Sequence, residues 1–218
     1  SFNTPITYFP FTLSYNALLR GETYSLQQEW SMVFAAPEIG SSSTTYGNDR
    51  FRARGQQFSL HSNLVFTKDW SDGLEGVLRL TSQLTDQPLI SNEQFAAGGV
   101  DSVRGYLEAE ALGDYGFTGS GELRSPSFGD AIHFSPGRPL FDELRVFVFT
   151  DGGRAVLHDW LLGDQKRQYT LASVGAGLTL RMFTYLNGTL DWADPVINGP
   201  STRAWSGSRV LFRVWSTF

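Results

Sequence analysis

The amino-acid sequence predicts an all-β protein, either a transmembrane antiparallel β-barrel or the C-terminal part of one. Apolar and polar residues alternate over segments of about ten residues, the pattern of barrel strands that face lipid on one side. Short connections alternate with long ones along much of the chain, as turns and outer loops do in outer-membrane barrels. No apolar run reaches the roughly 18–20 residues that a membrane helix needs, so a helical membrane protein is excluded.

Nine strands are expected from this alternation. In chain order they are Phe11–Arg20, Glu22–Ala36, Phe51–Phe66, Leu74–Leu84, Tyr115–Arg124, Leu144–Gly153, Tyr169–Leu180, Phe183–Ala193 and Ser208–Phe218. The residues expected to face lipid are Leu78, Leu80, Phe117, Val146, Val148, Leu178, Leu190, Phe212 and Val214. Because single-chain barrels usually close with an even number of strands, either residues 1–9 supply a tenth strand or further strands lie upstream. We prefer the second interpretation.

The longest connection, residues 85–114, is predicted to be a lid loop that folds into the barrel lumen. About 30 residues without strand periodicity are unusual in a compact domain, and connections of this length tend to be functional. Gly98 and Gly99 can adopt positive φ angles and are predicted to act as hinges. The tip of the loop contains Val103, Arg104, Gly105 and Tyr106. The alternative is an ordinary surface loop with one solvated arginine.

Asp151, in the segment FVFTDGG, is the expected partner of Arg104. Strand parity places Asp151 on the same side as Arg145, away from lipid, where a carboxylate needs a counter-charge or water. A guanidinium can bind a carboxylate through two parallel hydrogen bonds. We therefore hypothesise a contact between Arg104 and Asp151 that holds the loop inside the barrel, with Glu122 as a second candidate partner. The alternative is that residues 151–153 form only a strand-ending turn.

Composition excludes other classes of function. The chain has no cysteine, which removes disulfides, thiolate nucleophiles and cysteine-bound zinc. Its three histidines lack the spacing of metal-binding motifs, so neither a metal nor another cofactor is expected. The net charge of −5 makes nucleic acid an unexpected partner. For a basic row made of Arg50, Arg52 and Arg54, we expect solvation or contact with lipopolysaccharide phosphate, with substrate guidance as an alternative.

Four sequence segments and the last residue occur together in one known family. The segments are SNEQFAAGG (91–99), SVRGY (102–106), GDYGFTGSGELRSP (113–126) and FTDGG (149–153), and the chain ends in Phe218. In their order and spacing they resemble the two-partner secretion transporters (TpsB), which are relatives of the BamA assembly factor. The similarity is good over residues 50–218 and loose over residues 1–50.

The resemblance implies a non-enzymatic bacterial outer-membrane protein that secretes a large exoprotein through its lumen without ATP or a cofactor. Such barrels have about sixteen strands, so residues 1–218 would be the C-terminal portion of the barrel domain, without a periplasmic POTRA domain. Arg104 and Asp151 match the family's loop-tip arginine and strand aspartate. Phe218 matches the signal read by the outer-membrane assembly machinery. The expected partners are the exoprotein client, membrane lipid, lipopolysaccharide and that machinery.

Three other functions stay open at this stage. An assembly factor that inserts other barrels would share the SVRGY segment. A passive diffusion pore would conduct without a client and would not depend on Arg104. An outer-membrane hydrolase would use the lumen-facing His61, although no sequence signature supports it.

Overall fold

The computed structural model describes residues 6–129, 133–135, 138–139, 141–159 and 166–217. Phe218, the expected assembly signal, lies outside these residues, as do residues 1–5 of the segment considered for a tenth strand. Within the described ranges, no helix is both long and apolar enough to cross a lipid bilayer.

The described residues form β-strands, one short α-helix and a 3₁₀ turn at Ser91–Glu93. In chain order the other elements are β1 (Tyr8–Arg20), β2 (Tyr24–Gly40), α1 (Ser43–Asp49), β3 (Gln57–Asp69), β4 (Glu75–Thr85), β5 (Phe95–Ala97), β6 (Ala111–Gly113), β7 (Tyr115–Arg124), β8 (His133–Ser135), β9 (Arg138–Pro139), β10 (Glu143–Val156), β11 (Gln168–Met182), β12 (Leu186–Pro195) and β13 (Arg209–Ser216).

Nine of these strands form one antiparallel sheet in the order β1-β2-β3-β4-β7-β10-β11-β12-β13. Each long strand pairs with the next long strand in the chain, while β5 pairs with β6 inside the lid loop. In the part of the chain that the structure describes, β1 and β13 are the edges of the sheet, which does not close on itself. The all-β antiparallel prediction is confirmed in this form, as an open nine-stranded sheet.

The third strand begins later than the sequence predicts, and a helix that was not predicted precedes it. The predicted strand is Phe51–Phe66, whereas β3 starts at Gln57. The side chain of Ser42 caps α1 by accepting a hydrogen bond from the Thr45 N–H at 3.4 Å. Tyr46 in α1 is only 2% exposed and packs in a buried apolar cluster with the lid loop. Local capping and this tertiary burial therefore stabilise a helix in the connection between β2 and β3.

The two faces of the sheet differ in polarity. The outer face exposes large apolar side chains, among them Leu78, Leu80, Phe117, Val146, Val148, Leu190, Phe212 and Val214. The inner face, which carries the lid loop, buries polar ones, among them Gln83, Thr118, Glu122, Asp151 and Ser173. Successive side chains of a strand point to opposite faces, so the alternation in the sequence produces this separation. Leu178 alone of the residues expected to face lipid is partly buried rather than exposed.

Two phenylalanines of β10 pack on glycines of β11 at the inner face. Phe149 is opposite Gly175 and Phe147 is opposite Gly177. A Cβ atom on either glycine would overlap the facing ring. The missing side chains therefore provide the space in which both rings are buried.

Gly175→Ala is expected to destabilise the sheet by about 1–3 kcal/mol, the usual cost of overpacking a filled site. The measurement is the free energy of unfolding of the whole protein in urea, in lipid vesicles. The matched control is Gly121→Ala in β7, where the atom nearest to an added Cβ, Thr150 Cγ2, is 3.9 Å away. Equal stabilities of the two variants would contradict this description of the packing.

Candidate functional site

The lid loop folds back over the inner face of the sheet. It begins after β4, ends before β7, and forms the small β5–β6 hairpin along its course. We refer to residues 98–109 as the tip. Residues 85–97 and 110–114, which include β5 and β6, are referred to as the neck.

The predicted hinge glycines lie at the start of the tip. Gly98 and Gly99 have φ angles of 107° and 109°, and Gly105 has a φ angle of 90°, values that other residues rarely adopt. A Cβ on Gly105 would also lie 3.3 Å from Pro195 Cδ, so glycine lets the tip approach the end of β12 closely. The carbonyl oxygen of Gly105 accepts a hydrogen bond from Arg209 Nε at 3.1 Å.

Arg104 is buried between the tip and the sheet and binds two carboxylates. Its Nε and Nη2 donate to the two carboxylate oxygens of Asp151 at 2.8 and 2.9 Å. Its Nη1 lies 3.0 Å from Glu122 Oε1. The side chains of Arg104, Asp151 and Glu122 are 7%, 0% and 5% exposed. We refer to these three residues as the inner clasp; the structure brings them together, and their role in function stays a prediction.

The register of the sheet brings the two carboxylates to the same place. Asp151 in β10 is opposite Ser120 in β7, and Glu122 lies two residues further along the same face. Ser120 Oγ accepts a hydrogen bond from Arg104 Nη2 at 3.0 Å. The centroid of the Phe149 ring lies 3.4 Å from Arg104 Cζ, which adds a cation–π contact. The backbone N–H of Arg104 also donates to Asp151 at 3.1 Å, so main chain and side chain both hold the tip.

Glu122 is shared by three arginines. Besides Arg104, Arg79 Nη1 lies 3.0 Å from its Oε1, and Arg124 Nη2 lies 2.7 Å from its Oε2. These side chains line part of a cavity of about 540 Å³ between the tip and the sheet. The space beside the inner clasp is therefore polar and rich in charges of both signs.

Asp191 in β12 is a third carboxylate near the inner clasp, and the sequence analysis missed it. It lies 4.0 Å from Arg104 Nη1. Its Oδ1 is buried and has no hydrogen-bond partner among the described residues. Alternation with Leu190, which was expected to face lipid, is the signal that would have found Asp191. This third carboxylate gives the guanidinium of Arg104 a further acceptor nearby.

Two further residues of the predicted tip hold it through apolar and main-chain contacts. Val103 is fully buried in an apolar cluster with β10 and β11 residues. The Tyr106 hydroxyl lies 2.8 Å from the carbonyl oxygen of Ala172 and 2.6 Å from that of Ile197. The tip therefore contacts β10, β11 and the segment after β12, not only the strand that carries Asp151.

Glu110 attaches the neck to the loop that follows β12. Its carboxylate accepts hydrogen bonds from the Thr202 hydroxyl and N–H at 2.5 and 2.7 Å, and from the Ser201 and Leu107 N–H groups at 2.9 and 2.8 Å. Burial alone would raise the pKa of this carboxyl, but the hydrogen bonds outweigh burial and lower it. The attachment is therefore complete above the ordinary pKa of 4.5 and is lost as the pH falls through the lowered value.

A second buried arginine–carboxylate pair lies at the base of the lid loop. The carboxylate of Asp114 binds the forked guanidinium of Arg50 and accepts hydrogen bonds from the N–H groups of Leu89 and His158 at 2.8 and 2.7 Å. We refer to Arg50 and Asp114 as the rim clasp. It corrects the expectation for Arg50, whose side chain is only 14% exposed and is paired inside the protein. The other two arginines of the basic row are exposed.

His61, the residue considered for a hydrolase, lies on the inner face of β3. Its Nε2 is 3.0 Å from the hydroxyl oxygen of Ser59. Among the described residues, no carboxylate forms a hydrogen bond with the His61 ring. Nor do these residues contain a group of three or more His, Asp or Glu side chains arranged to hold a metal ion.

Comparisons with known proteins place the chain in a family. Residues 4–180 match the family described as haemolysin secretion/activation protein ShlB/FhaC/HecB. The fold is similar to the solved structure of CdiB from Escherichia coli, with a TM-score of 0.72 and 22% sequence identity, over 97% of this chain and 37% of that chain. The chain thus spans well under half the length of CdiB, and no curated protein matches its sequence. Because the family match covers most of the chain, the protein belongs to the ShlB/FhaC/HecB haemolysin secretion/activation family, the two-partner secretion transporters that its motifs resemble.

Proposed function

We propose that this protein takes part in the translocation of a large exoprotein across the bacterial outer membrane, with the lid loop as a plug in the lumen. The observation that carries the proposal is the buried contact of Arg104 with Asp151 and Glu122. It joins the tip of the loop to two strands of the wall, so the plug stays in place as long as the contact lasts. Members of the family are outer-membrane proteins, which supports this location.

The polarity of the sheet supports a membrane setting. Phe212 and Val214, on the outer face of β13, are 80% and 66% exposed. Apolar patches of this kind are rare on soluble monomers, whereas a barrel wall presents them to lipid. The outer face would therefore contact membrane lipid and lipopolysaccharide, and the polar inner face would line the path of the client.

Opening requires the guanidinium of Arg104 to leave both carboxylates. Separating a buried ion pair is costly unless new partners replace the old ones. The cavity beside the inner clasp offers Asp191 as a new partner for the arginine, and an extended client segment would offer main-chain groups to the carboxylates. No nucleotide is needed in this scheme, because folding of the client outside the cell would draw the chain outward.

Two alternatives are separated from this proposal by crosslinking and conductance. An assembly factor for other barrels would crosslink to nascent barrel strands, whereas a secretion transporter would crosslink to a soluble exoprotein. A passive pore is less well supported, because the tip occupies the inner face of the sheet.

Arg104→Ala is expected to reduce export of the client by about tenfold or more and to increase channel opening in planar bilayers, because the plug is no longer held. The measurements are secreted client per cell and single-channel recording of the whole protein. The control is Arg52→Ala, since Arg52 is 65% exposed, pairs with Asp159 at 3.3 Å and lies 5.2 Å from the centroid of the Phe51 ring. Normal export together with unchanged conductance in Arg104→Ala would contradict the proposal, and unchanged conductance without a client is what a passive pore predicts.

Asp151→Asn is expected to loosen the tip, because it leaves the buried Arg104 with one carboxylate fewer. Trypsin should then cleave after Arg104 about tenfold faster or more in the whole protein in liposomes. The matched control is Asp101→Asn, which removes a tip carboxylate that is 79% exposed and pairs with Arg213. Unchanged protection of residues 95–110 in Asp151→Asn would count against the clasp.

Leu190→Arg tests the position of the outer face in the membrane. Leu190 is 46% exposed near the middle of β12, and a charge at mid-membrane on a lipid-facing position costs about 2–4 kcal/mol. The measurement is the free energy of unfolding in lipid vesicles. Thr189→Arg, whose side chain would enter the inner cavity, is the control and should cost less. A larger loss for Thr189→Arg would reject the assignment of the two faces.

A further inference from the structure

We infer that the lid loop opens by release of its tip alone, while Asp114 keeps the neck fixed to the rim of the sheet. Asp114 is then a positioning residue for the proposed plug, and the inference rests on the proposed function. The inference states which part of the lid loop moves: the tip leaves the lumen, and the loop does not leave as one unit.

The carboxylate of Asp114 ties the two ends of the neck together. Asp114 ends the loop, and its Oδ1 accepts the N–H of Leu89, near the start of the loop, at 2.8 Å. The amide of Gln83 in β4 reinforces this closure by donating to the carbonyl oxygens of Glu93 and Asp114 at 2.9 and 3.0 Å. Between these contacts, β5 and β6 pair with each other. The neck is therefore a closed hairpin.

The same carboxylate anchors this hairpin to two other connections. Arg50 comes from the segment between β2 and β3, and its guanidinium forks onto Asp114. His158 follows β10, and its N–H donates to Asp114 Oδ2 at 2.7 Å. The Asp114 N–H donates to the carbonyl oxygen of Val156 at 2.8 Å. Asp114 is fully buried, so withdrawal of the neck would leave a charge and several main-chain groups without partners at once.

Unusual backbone conformations mark the boundary between neck and tip. Gly98 and Gly99 directly follow β5, and their φ angles are 107° and 109°. Ala109 lies two residues before β6 and has a φ angle of 52°, which is uncommon for alanine. The Ala109 N–H donates to the Gly98 carbonyl oxygen at 3.2 Å, so the two boundary positions are adjacent. A hinge at this point would swing the tip without breaking the β5–β6 pairing.

The charged attachments of the tip differ in kind from those of the neck. The Asp101–Arg213 pair is exposed, whereas the buried ones are the side-chain bonds of Arg104 to Asp151 and Glu122, beside a polar cavity of about 540 Å³. Those partners can be exchanged for other polar groups in the cavity. The bond of Asp114 to the His158 N–H offers no such exchange within the described residues, because this main-chain donor is fixed in the connection after β10.

The test uses single cysteines as reporters, which is direct because the 218 residues contain none. Val103→Cys reports on the tip and Ala111→Cys on the neck; the native side chains are 0% and 1% exposed, so the two start equally protected. Each reporter is placed in the whole protein in liposomes, unaltered or combined with Asp151→Asn or Asp114→Asn. The rate of reaction with a water-soluble maleimide is measured in the absence of a client.

With Asp151→Asn, the Val103→Cys reporter should react about tenfold faster or more, while the Ala111→Cys reporter should keep its slow rate. With Asp114→Asn, the Ala111→Cys reporter should become about tenfold faster or more. If Asp151→Asn exposes both reporters equally, the loop moves as one unit and the inference is wrong. It is equally wrong if Asp114→Asn leaves the Ala111→Cys reporter protected.

Two further variants complete the design. Asp159→Asn removes an acidic residue of the same rim whose side chain is 34% exposed, and it should change neither reporter. If Asp114→Asn does not fold, Arg50→Gln keeps the carboxylate with its two main-chain donors and should accelerate the Ala111→Cys reporter more weakly. Because no client is present, a protein that failed to secrete could still give the predicted labelling pattern. Failure of the proposed secretion function can therefore be distinguished from failure of this inference.

Discussion

The burial of one guanidinium on the inner face of the sheet is the constraint on which the other features of the site depend. Arg104 is stable there only with compensating charge, so neighbouring strands must carry Asp151 and Glu122 at adjacent positions of the same face. The packing of Phe149 is subject to the same constraint, because its ring supports the guanidinium and Gly175 leaves room for that ring. Residues from the tip and from three neighbouring strands are thus required together by a single buried charge.

The alternation that places Asp151 on the inner face also places Val148 on the outer face. A shift of one residue in the register of β10 would bury the apolar side chains and move the carboxylate out of reach of Arg104. The long register that pairs β10 with β11, from Glu143 to Val156, prevents such a shift. The inner clasp and the separation of the two faces of the sheet therefore follow from the same strand pairing, and neither can change without the other.

The sequence was sufficient for the features that follow from strand parity and failed for contacts between loops. The nine strands, their two faces and the partners of Arg104 all follow from a period of two along the chain. The rim clasp does not, because Arg50 and Asp114 are 64 positions apart and lie in connections without any periodicity. The helix α1 had a local signal, the capping residue Ser42, but with seven residues it is too short to show a helical periodicity. Asp191 also follows from parity, because it alternates with Leu190 along β12.

Two clasps of the same chemistry can have opposite roles because their surroundings differ. If Arg104 leaves, two other arginines continue to neutralise Glu122, and only Asp151 must find new partners beside a polar cavity. If Asp114 leaves, Arg50 and the main-chain N–H of His158 lose their acceptor together, and that N–H is fixed in the connection after β10. The cost of separating a buried pair depends on what replaces each partner. If the lid loop is the proposed plug, it should be released where exchange of partners is possible and anchored where it is not, which is the arrangement inferred for the tip and the neck.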